Sequence, residues 1–546
     1  MTFDAFRADR SRQIAVLTVL FAGAALRIWQ YAADSSLWLD EAALTRNVLE
    51  RSPRELLSPL SFGQVAPPGF LFAQKAIVSL FGSSELALRA VPLACGLASL
   101  PLFTACARAV LNGGAFLFAV LLFALGQPFI YFSSQAKQYA SDVTLSLLAL
   151  WMGLVLSSDR LSNRRIAVLA GLGALIPWFS QPAALVLAGA ALGAAIPMLW
   201  TRGVAARRAA LPIMLVWAGS VVVAGAFAMR SVSGETREYL NWFWRIGYMP
   251  WPPVAQVRWL WDTLVAVFDA FGAGAFRTNG GLGYVWPQLF VVATVAGLLH
   301  FVRARRDVVL ILAGPVAVSL IASLLRLYPL SGRLLVFIVP VLLLLTAAGA
   351  HLLWTWFAAR ARLAGVAAAV LFVAIPIHAA VRTRPPYSIQ PLRPVLERVD
   401  RLRQPGDIFY VDYVAAQAFL FYAPRFGFEP GEYVIGKCAV ADRRDYLRQV
   451  DRFRGRPRVW VIGTHLSAVE RSLTVGYLER IGRRLESVFV PPIGAPVRYA
   501  AYARLYDLSD PRRLASSDAA SHVIRELPLD DGSKEWGCAG PVVLGE

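Results

Sequence analysis

Lysine is almost missing from this chain. Of its 54 basic residues only Lys75, Lys137, Lys437 and Lys534 are lysines, so each one is an unusual choice that asks for a reason. Charge of either sign is scarce as well: 16% of the 546 residues are charged and 57% are hydrophobic. Those proportions exclude a large soluble enzyme and fit an α-helical polytopic membrane protein. The formal charge of +19 does not point to nucleic acid, because the arginines lie in short clusters between apolar segments and form no continuous stripe. Cysteine is limited to Cys95 and Cys106, inside an apolar run, and Cys438 and Cys538, in the polar C-terminal third. The second two can pair if that third is extracytoplasmic, although spacing alone does not fix connectivity. There is no glycine-rich nucleotide fingerprint, no long internal repeat and no low-complexity segment. The first apolar run, 14–33, is not followed by a convincing small-residue cleavage site and reads as a signal anchor.

What is abundant is apolar sequence. Stretches near the ~20 residues that a helix needs to cross a bilayer recur about eleven times. They fall at 14–33, 86–107, 115–132, 141–157, 166–179, 183–200, 211–229, 285–302, 308–325, 334–354 and 364–381. The stretch 67–82 is a further candidate, but it is short and carries Lys75. Arginine placement decides its role. With the N-terminus and Arg7, Arg10 and Arg12 in the cytoplasm, and 67–82 lying at the outer surface, the clusters Arg160/Arg164/Arg165, Arg202/Arg207/Arg208, Arg303/Arg305/Arg306 and Arg360/Arg362 all fall inside. Counting 67–82 as a span would send them outside, so an interfacial or re-entrant helix is expected there. The long loops, 131–142, 230–284 and 326–333, then share the outer face, and function is expected on that side.

Past residue 382 the apolar density falls. The segments 407–413, 432–438, 458–466 and 484–490 read as strands and 415–426, 443–453 and 467–481 as helices. The expected organisation is a transmembrane unit, 1–381, followed by an extracytoplasmic α/β domain, 382–546, with a mainly parallel sheet.

Four places could carry chemistry. Asp40 and Glu41 follow the first span as an adjacent acidic pair; two carboxylates at a membrane surface suit a general base or a metal contact, while an acidic helix start would use the same residues to favour the helix dipole. Gln64 precedes the Pro67–Pro68 helix start, and Lys75, two turns on, reads as a side chain snorkelling to the surface. In "SSQAKQYASD", Lys137, Tyr139 and Asp142 sit where a span meets the outer surface. A compact ammonium there suits a phosphate or carboxylate, and an interfacial anchor would place it equally well. Arg326 and Arg333 flank a span on the outer side, against the usual bias, and Arg333 is a candidate for an anionic head group. The aromatic run Tyr239, Trp242, Phe243, Trp244, Tyr248 and Trp251 reads as an interfacial belt, or as a lid over the outer face.

The early "DE", the Pro-Pro loop, "FGSSELALRAVP" at 81–92, the "Q.K.Y" turn and the late arginine before a span, in that order, resemble the membrane glycosyltransferases of the C superfamily, GT-C. The branch is the family-39-like group, related to protein O-mannosyltransferases, lipid A aminoarabinose transferases and rhizobial lipopolysaccharide galacturonosyltransferases. The resemblance covers about residues 10–381. It implies an enzyme of the bacterial inner membrane that moves a sugar, with inversion, from a polyprenyl-phosphate donor to a lipid, glycan or protein acceptor on the periplasmic face. It also implies Asp40 as the base with Glu41 beside it, Lys137 and Arg333 on the donor phosphate, and Gln64, Gln135, Tyr139 and Asp142 around the substrate. The chain departs from the pattern at Val65 and Ala66, where many relatives carry His or Lys, and at Gln135, where they carry an acid. A metal-ligand set is thus incomplete, and a divalent cation is left open. Two other readings stand beside this one: a transporter or flippase of lipid-linked sugars, which should show paired interrupted spans and a repeat, and a relative that binds lipid-linked sugar without catalysis.

Overall fold

The computed structural model describes residues 3–157, 162–201, 204–272, 286–438, 443–464 and 468–514. The first part is helical. The chain runs through α1 (Phe3–Ala32), α2 (Leu39–Glu50), α3 (Pro68–Phe81), α4 (Glu85–Val110), α5 (Gly113–Leu125), α6 (Gln127–Phe132), α7 (Tyr139–Leu156) and α8 (Asn163–Phe179). It continues through α9 (Gln181–Thr201), α10 (Val204–Arg230), α11 (Gly234–Phe243), α12 (Pro253–Gly272), α13 (Trp286–Ala304), α14 (Arg306–Leu324), α15 (Val339–Ala358) and α16 (Arg362–Arg382).

By length and composition, 8 helices among the described residues can cross a membrane: α1, α4, α7, α10 and α13 to α16. The other expected spans correspond to the shorter apolar stretches Gly113–Leu125 and Gln181–Pro197 and to the 17-residue α8, so the count of about eleven is not established. The 14-residue α3 is too short to cross. The segment 230–284, expected as one long loop, instead contains α11 and α12; α12 is amphipathic and starts at Pro253, which hid it from a search for unbroken apolar runs.

The helices pack on small residues. A Cβ placed on Gly189 of α9 would lie 2.3 Å from the Pro315 backbone of α14, and one on Gly349 of α15 would lie 1.8 Å from the Ala293 carbonyl of α13, so only glycine lets these backbones approach. The expected span 115–132 is broken between α5 and α6. Pro128 has no N–H to give the Ala124 carbonyl, and the fully buried Arg27 of α1 supplies a donor there at 2.9 Å while also bonding Gly23 O of its own helix at 2.8 Å. The break turns the chain into the 133–138 segment.

The C-terminal unit contains β1 (Ile408–Val411), β2 (Tyr433–Ile435), β3 (Val459–Thr464), β4 (Arg483–Val490) and β5 (Ala501–Asp507), ordered β2-β1-β3-β5-β4. The pairs β1–β2 and β1–β3 are parallel, but β3–β5 and β4–β5 are antiparallel, so the sheet is mixed, not mainly parallel. The strand β5 accounts for the difference: it lies beyond the last strand read from the sequence and enters between β3 and β4. Helices α17 (Leu392–Leu402), α18 (Ala416–Tyr422), α19 (Arg443–Asp451) and α20 (Ala468–Ile481) cover it. In α17, Leu392, Val395, Leu396 and Val399 recur at helical spacing and are buried. Cys95 and Cys106 are free, and Cys438 is disulfide-bonded. Its expected partner Cys538 lies outside the described residues.

The two parts share a core. Leu37 and Ala42 from the first loop and its helix, Leu88 of α4 and Ala136 of the 133–138 segment belong to the same buried cluster as α17, Phe409, Phe419 and Trp460. Arg393 pairs with Asp34 at 2.9 Å and Glu85 at 2.8 Å, and Arg425 with Glu85 at 2.7 Å, which ties α17 and the segment after α18 to the ends of α1 and α4.

Candidate active site

Everything of interest gathers where α1, α6, α10, α14 and α16 end and α2, α4, α7 and α15 begin. The helix α2 starts poorly by itself. Its N-cap is Trp38, whose indole can donate but not accept, so it cannot satisfy the first free amides of the helix. Glu41 supplies part of the remedy: its carboxylate accepts from the Trp38 N–H at 3.4 Å.

Adjacent residues on a helix diverge by about 100°. That angle sends the two carboxylates to different surroundings. Glu41 is fully buried and receives Arg89 Nε at 3.1 Å, Arg89 Nη2 at 2.9 Å and the Ala136 N–H at 2.6 Å. Arg89 also donates to the carbonyls of Ser35, at 2.6 Å, and Ser36, at 3.2 Å. Glu41 and Arg89 together lock the first loop, α4 and the 133–138 segment into one body.

Asp40 turns the other way and keeps 14% of its side chain exposed. Its Oδ2 pairs with Arg333 Nη2 at 2.5 Å, and its Oδ1 accepts from Gln64 Nε2 at 3.5 Å. Lys137 Nζ donates to Gln64 Oε1 at 2.6 Å, which fixes the amide with its NH2 toward Asp40. Lys137 is buried, and desolvation lowers its pKa below 10.5 against the opposing pull of Asp40.

Arg333 comes from a short 3-10 turn, 332–335, that begins at Gly332 with φ of 51°. Its guanidinium lies over the rings of Trp38 at 5.4 Å, Tyr139 at 5.9 Å and Trp244 at 5.3 Å. Burial works against its charge, but Asp40 and three tyrosines outweigh burial and hold its pKa above the ordinary value. The Leu330 N–H donates to Gly247 O at 2.6 Å, bringing the segment after α11 onto this turn. Tyr239 of α11 faces the same charges; burial first, then Asp40, pushes its phenol up to about 12, so it stays neutral.

Asp40, Gln64, Lys137, Tyr139 and Arg333 are therefore brought together. Gln135 lies one step back, accepting from Trp38 Nε1 at 2.6 Å. Asp142 stands apart: it is buried one turn into α7, where it accepts from Ser180 Oγ at 2.6 Å. Lys75 does not snorkel. Its ammonium donates to the Val48 and Leu49 carbonyls at 2.8 and 3.2 Å and caps the last turn of α2. Of the aromatic run, Trp244 and Tyr239 face the site, while Trp251 is 71% exposed. Sequence reasoning overlooked Arg89, although an arginine inside an apolar helix is itself a signal. A divalent cation fits badly: among the described residues no three His, Cys, Asp or Glu side chains come together, and each carboxylate of the acidic pair is already matched by an arginine.

No protein-family model and no curated protein sequence matches the chain. Among solved structures, it is similar to ArnT from Cupriavidus metallidurans in the apo state, with 13% identity over 91% of this chain and 98% of that one and a TM-score of 0.47. ArnT from the same organism bound to undecaprenyl phosphate gives 15% identity over 89% and 97%, with a TM-score of 0.43. The archaeal oligosaccharyltransferase AglB from Archaeoglobus fulgidus, in complex with an inhibitory peptide and a dolichol-phosphate, gives 13% over 90% and 74%, with a TM-score of 0.45. At these values the likeness by itself assigns no activity.

Proposed function

We propose that this chain is a membrane glycosyltransferase of the GT-C type that transfers a sugar from a polyprenyl-phosphate donor, with inversion, to an acceptor hydroxyl at the periplasmic face of a bacterial inner membrane. The observation that carries the reading is the difference between the two adjacent carboxylates. Glu41 is buried and neutralised, whereas Asp40 is accessible and ringed by two cations that suit a phosphate. The arginine clusters and the length of the outer loops support the orientation.

In the proposed step the acceptor oxygen attacks the anomeric carbon, the bond from that carbon to the phosphate oxygen breaks, and the hydroxyl proton passes to the Asp40 carboxylate. The electron pair leaves with the polyprenyl phosphate, and Lys137 and Arg333 stabilise the charge that develops there. Arg333 rests on Asp40, and its Nε has no hydrogen-bond partner among the described residues. A donor phosphate offers the guanidinium a stronger, bidentate acceptor, and drawing Arg333 toward it releases Asp40 to act as base. Trp244 and Trp38 supply flat apolar faces for the sugar ring. Glu41 acts through position only.

The test is transfer of label from a panel of radiolabelled polyprenyl-phosphate sugars in membranes holding the intact protein or Asp40→Asn. Movement of label that stops with the variant supports the reading and reveals whether the product is lipid, glycan or protein. No consumption of any donor, or equal transfer by the variant, refutes it and brings the transporter and binding readings forward.

A further inference from the structure

The first turn of α2 is finished by a residue 351 positions away. The Leu39 N–H, immediately before Asp40, donates at 2.8 Å to the side-chain carbonyl of Gln390, in the segment joining α16 to α17. Gln390 is completely buried, and its φ of 53° lies in the left-handed region, which side-chain-bearing residues adopt only at a cost. Neighbouring bonds hold it in that conformation. Its N–H donates to Tyr499 O at 3.2 Å, and its carbonyl receives the Leu392 N–H at 2.7 Å. Three residues earlier, the Gln30 side chain clasps both backbone groups of Tyr387, accepting from N–H at 2.7 Å and donating to the carbonyl at 3.0 Å. The C-terminal unit also grips the residues before Asp40 through Tyr422, whose hydroxyl accepts from the Leu37 N–H at 2.8 Å.

These contacts have one geometric consequence. Trp38 cannot cap α2, so the direction in which its first turn leaves the membrane surface, and with it the direction of Asp40, depends on an acceptor supplied by the C-terminal unit. We infer that the C-terminal unit is part of the catalytic framework and that Gln390 is the positioning residue through which it aims Asp40. The inference rests on the transferase reading for its kinetic consequence, but the positioning itself can be measured without it. As a residue that acts through the Leu39 N–H, Gln390 should affect turnover when it is removed and leave donor binding alone.

The experiment uses the full-length protein in detergent and two variants. Gln390→Met keeps the length of the side chain without the acceptor; Gln390→Gly also removes it but relieves the left-handed backbone, so it folds without that strain. Two quantities are read: hydrogen exchange of amides 37–44 by mass spectrometry, and kcat and KM for a polyprenyl-phosphate sugar. The expected result in both variants is exchange faster by about tenfold in that peptide, kcat lower by about tenfold or more and KM within about twofold, with an unfolding midpoint lowered by the lost buried bond but still well above the assay temperature. Wild-type exchange overturns the positioning role while leaving the transferase reading intact. Loss of kcat with a raised KM, or exchange that rises equally across the whole chain, also overturns it, showing that Gln390 serves only to hold the fold. If the intact protein consumes no donor while exchange still rises, positioning of α2 stands and the transferase reading fails.

Discussion

Substituting the two adjacent carboxylates one at a time should damage the protein in two different ways. In Glu41→Gln the shape is kept, but one carboxylate oxygen becomes an NH2 that faces the donors of Arg89. The Arg89 guanidinium, 1% exposed, then has no counter-charge. Breaking a buried ion pair from one side costs about 3–5 kcal/mol. Arg89 retains the Ser35 and Ser36 carbonyls, so the lower end applies, about 3 kcal/mol. That is a large part of the stability of an ordinary fold. In Asp40→Asn the orphaned partner, Arg333, is 26% exposed and still lies over three aromatic rings, so stability should hardly change. Turnover should instead fall by about 10²–10⁴-fold, the usual contribution of a general base. A denaturant titration followed by tryptophan fluorescence, run beside the radiolabel transfer assay, separates the two effects. A Glu41→Gln protein that unfolds at the wild-type midpoint yet transfers nothing would refute the assignment, as would an Asp40→Asn protein that transfers at the wild-type rate.

Other consequences follow from the same geometry. Because burial lowers the Lys137 pKa below 10.5, the folded chain binds fewer protons than the unfolded one between that lowered value and 10.5. Stability should therefore rise with pH across that window, and Lys137→Met should abolish the rise in a denaturant titration. In kcat/KM, loss of the same proton should bring the alkaline limb below 10.5, and Lys137→Arg should move that limb upward; an unmoved limb assigns it elsewhere. Arg333→Lys replaces a planar fork held over three rings by a point charge and should lower kcat by about 10²-fold despite the retained charge, measured against the intact enzyme. Dialysis against a chelator should leave transfer unchanged, since among the described residues no three His, Cys, Asp or Glu side chains come together; lost activity restored by a divalent ion would contradict this.

The candidate site is legible where chemistry is local to a short stretch. Asp40, Lys137 and Arg333 stand out because each is an odd choice in its own surroundings: an acid after an apolar run, a lysine in an arginine-rich chain, a cation before an outer span. Their convergence followed from placing every long loop on one face. What stayed hidden was pairing at a distance. Nothing local tells that Arg89 answers Glu41, or that Gln390, a polar residue between two prolines' worth of irregular chain, reaches Leu39. Lys75 caps α2 where snorkelling is expected, because that cap depends on a tertiary approach that hydropathy does not encode. The strand β5, "AYARLYD", was overlooked because Arg504 and the small alanines weaken its alternation, and its insertion beside β3 made the sheet mixed.

The acidic pair also explains why such a greasy chain tolerates two carboxylates at one point. A single carboxylate at the start of α2 would have to choose between holding the loop and facing the proposed substrate. Successive positions on a helix point about 100° apart, so the doublet divides those tasks without lengthening the loop. Glu41 satisfies Arg89 and the Ala136 amide, and that rigid joint fixes the distance from α2 to the segment carrying Lys137. Asp40 then meets Arg333 and the Gln64–Lys137 pair from a helix that cannot rotate without breaking the buried joint. On the proposed reading, the inward carboxylate and the Gln390 acceptor together fix the direction of the outward one, and burial of Glu41 is what keeps the two acids from being interchangeable.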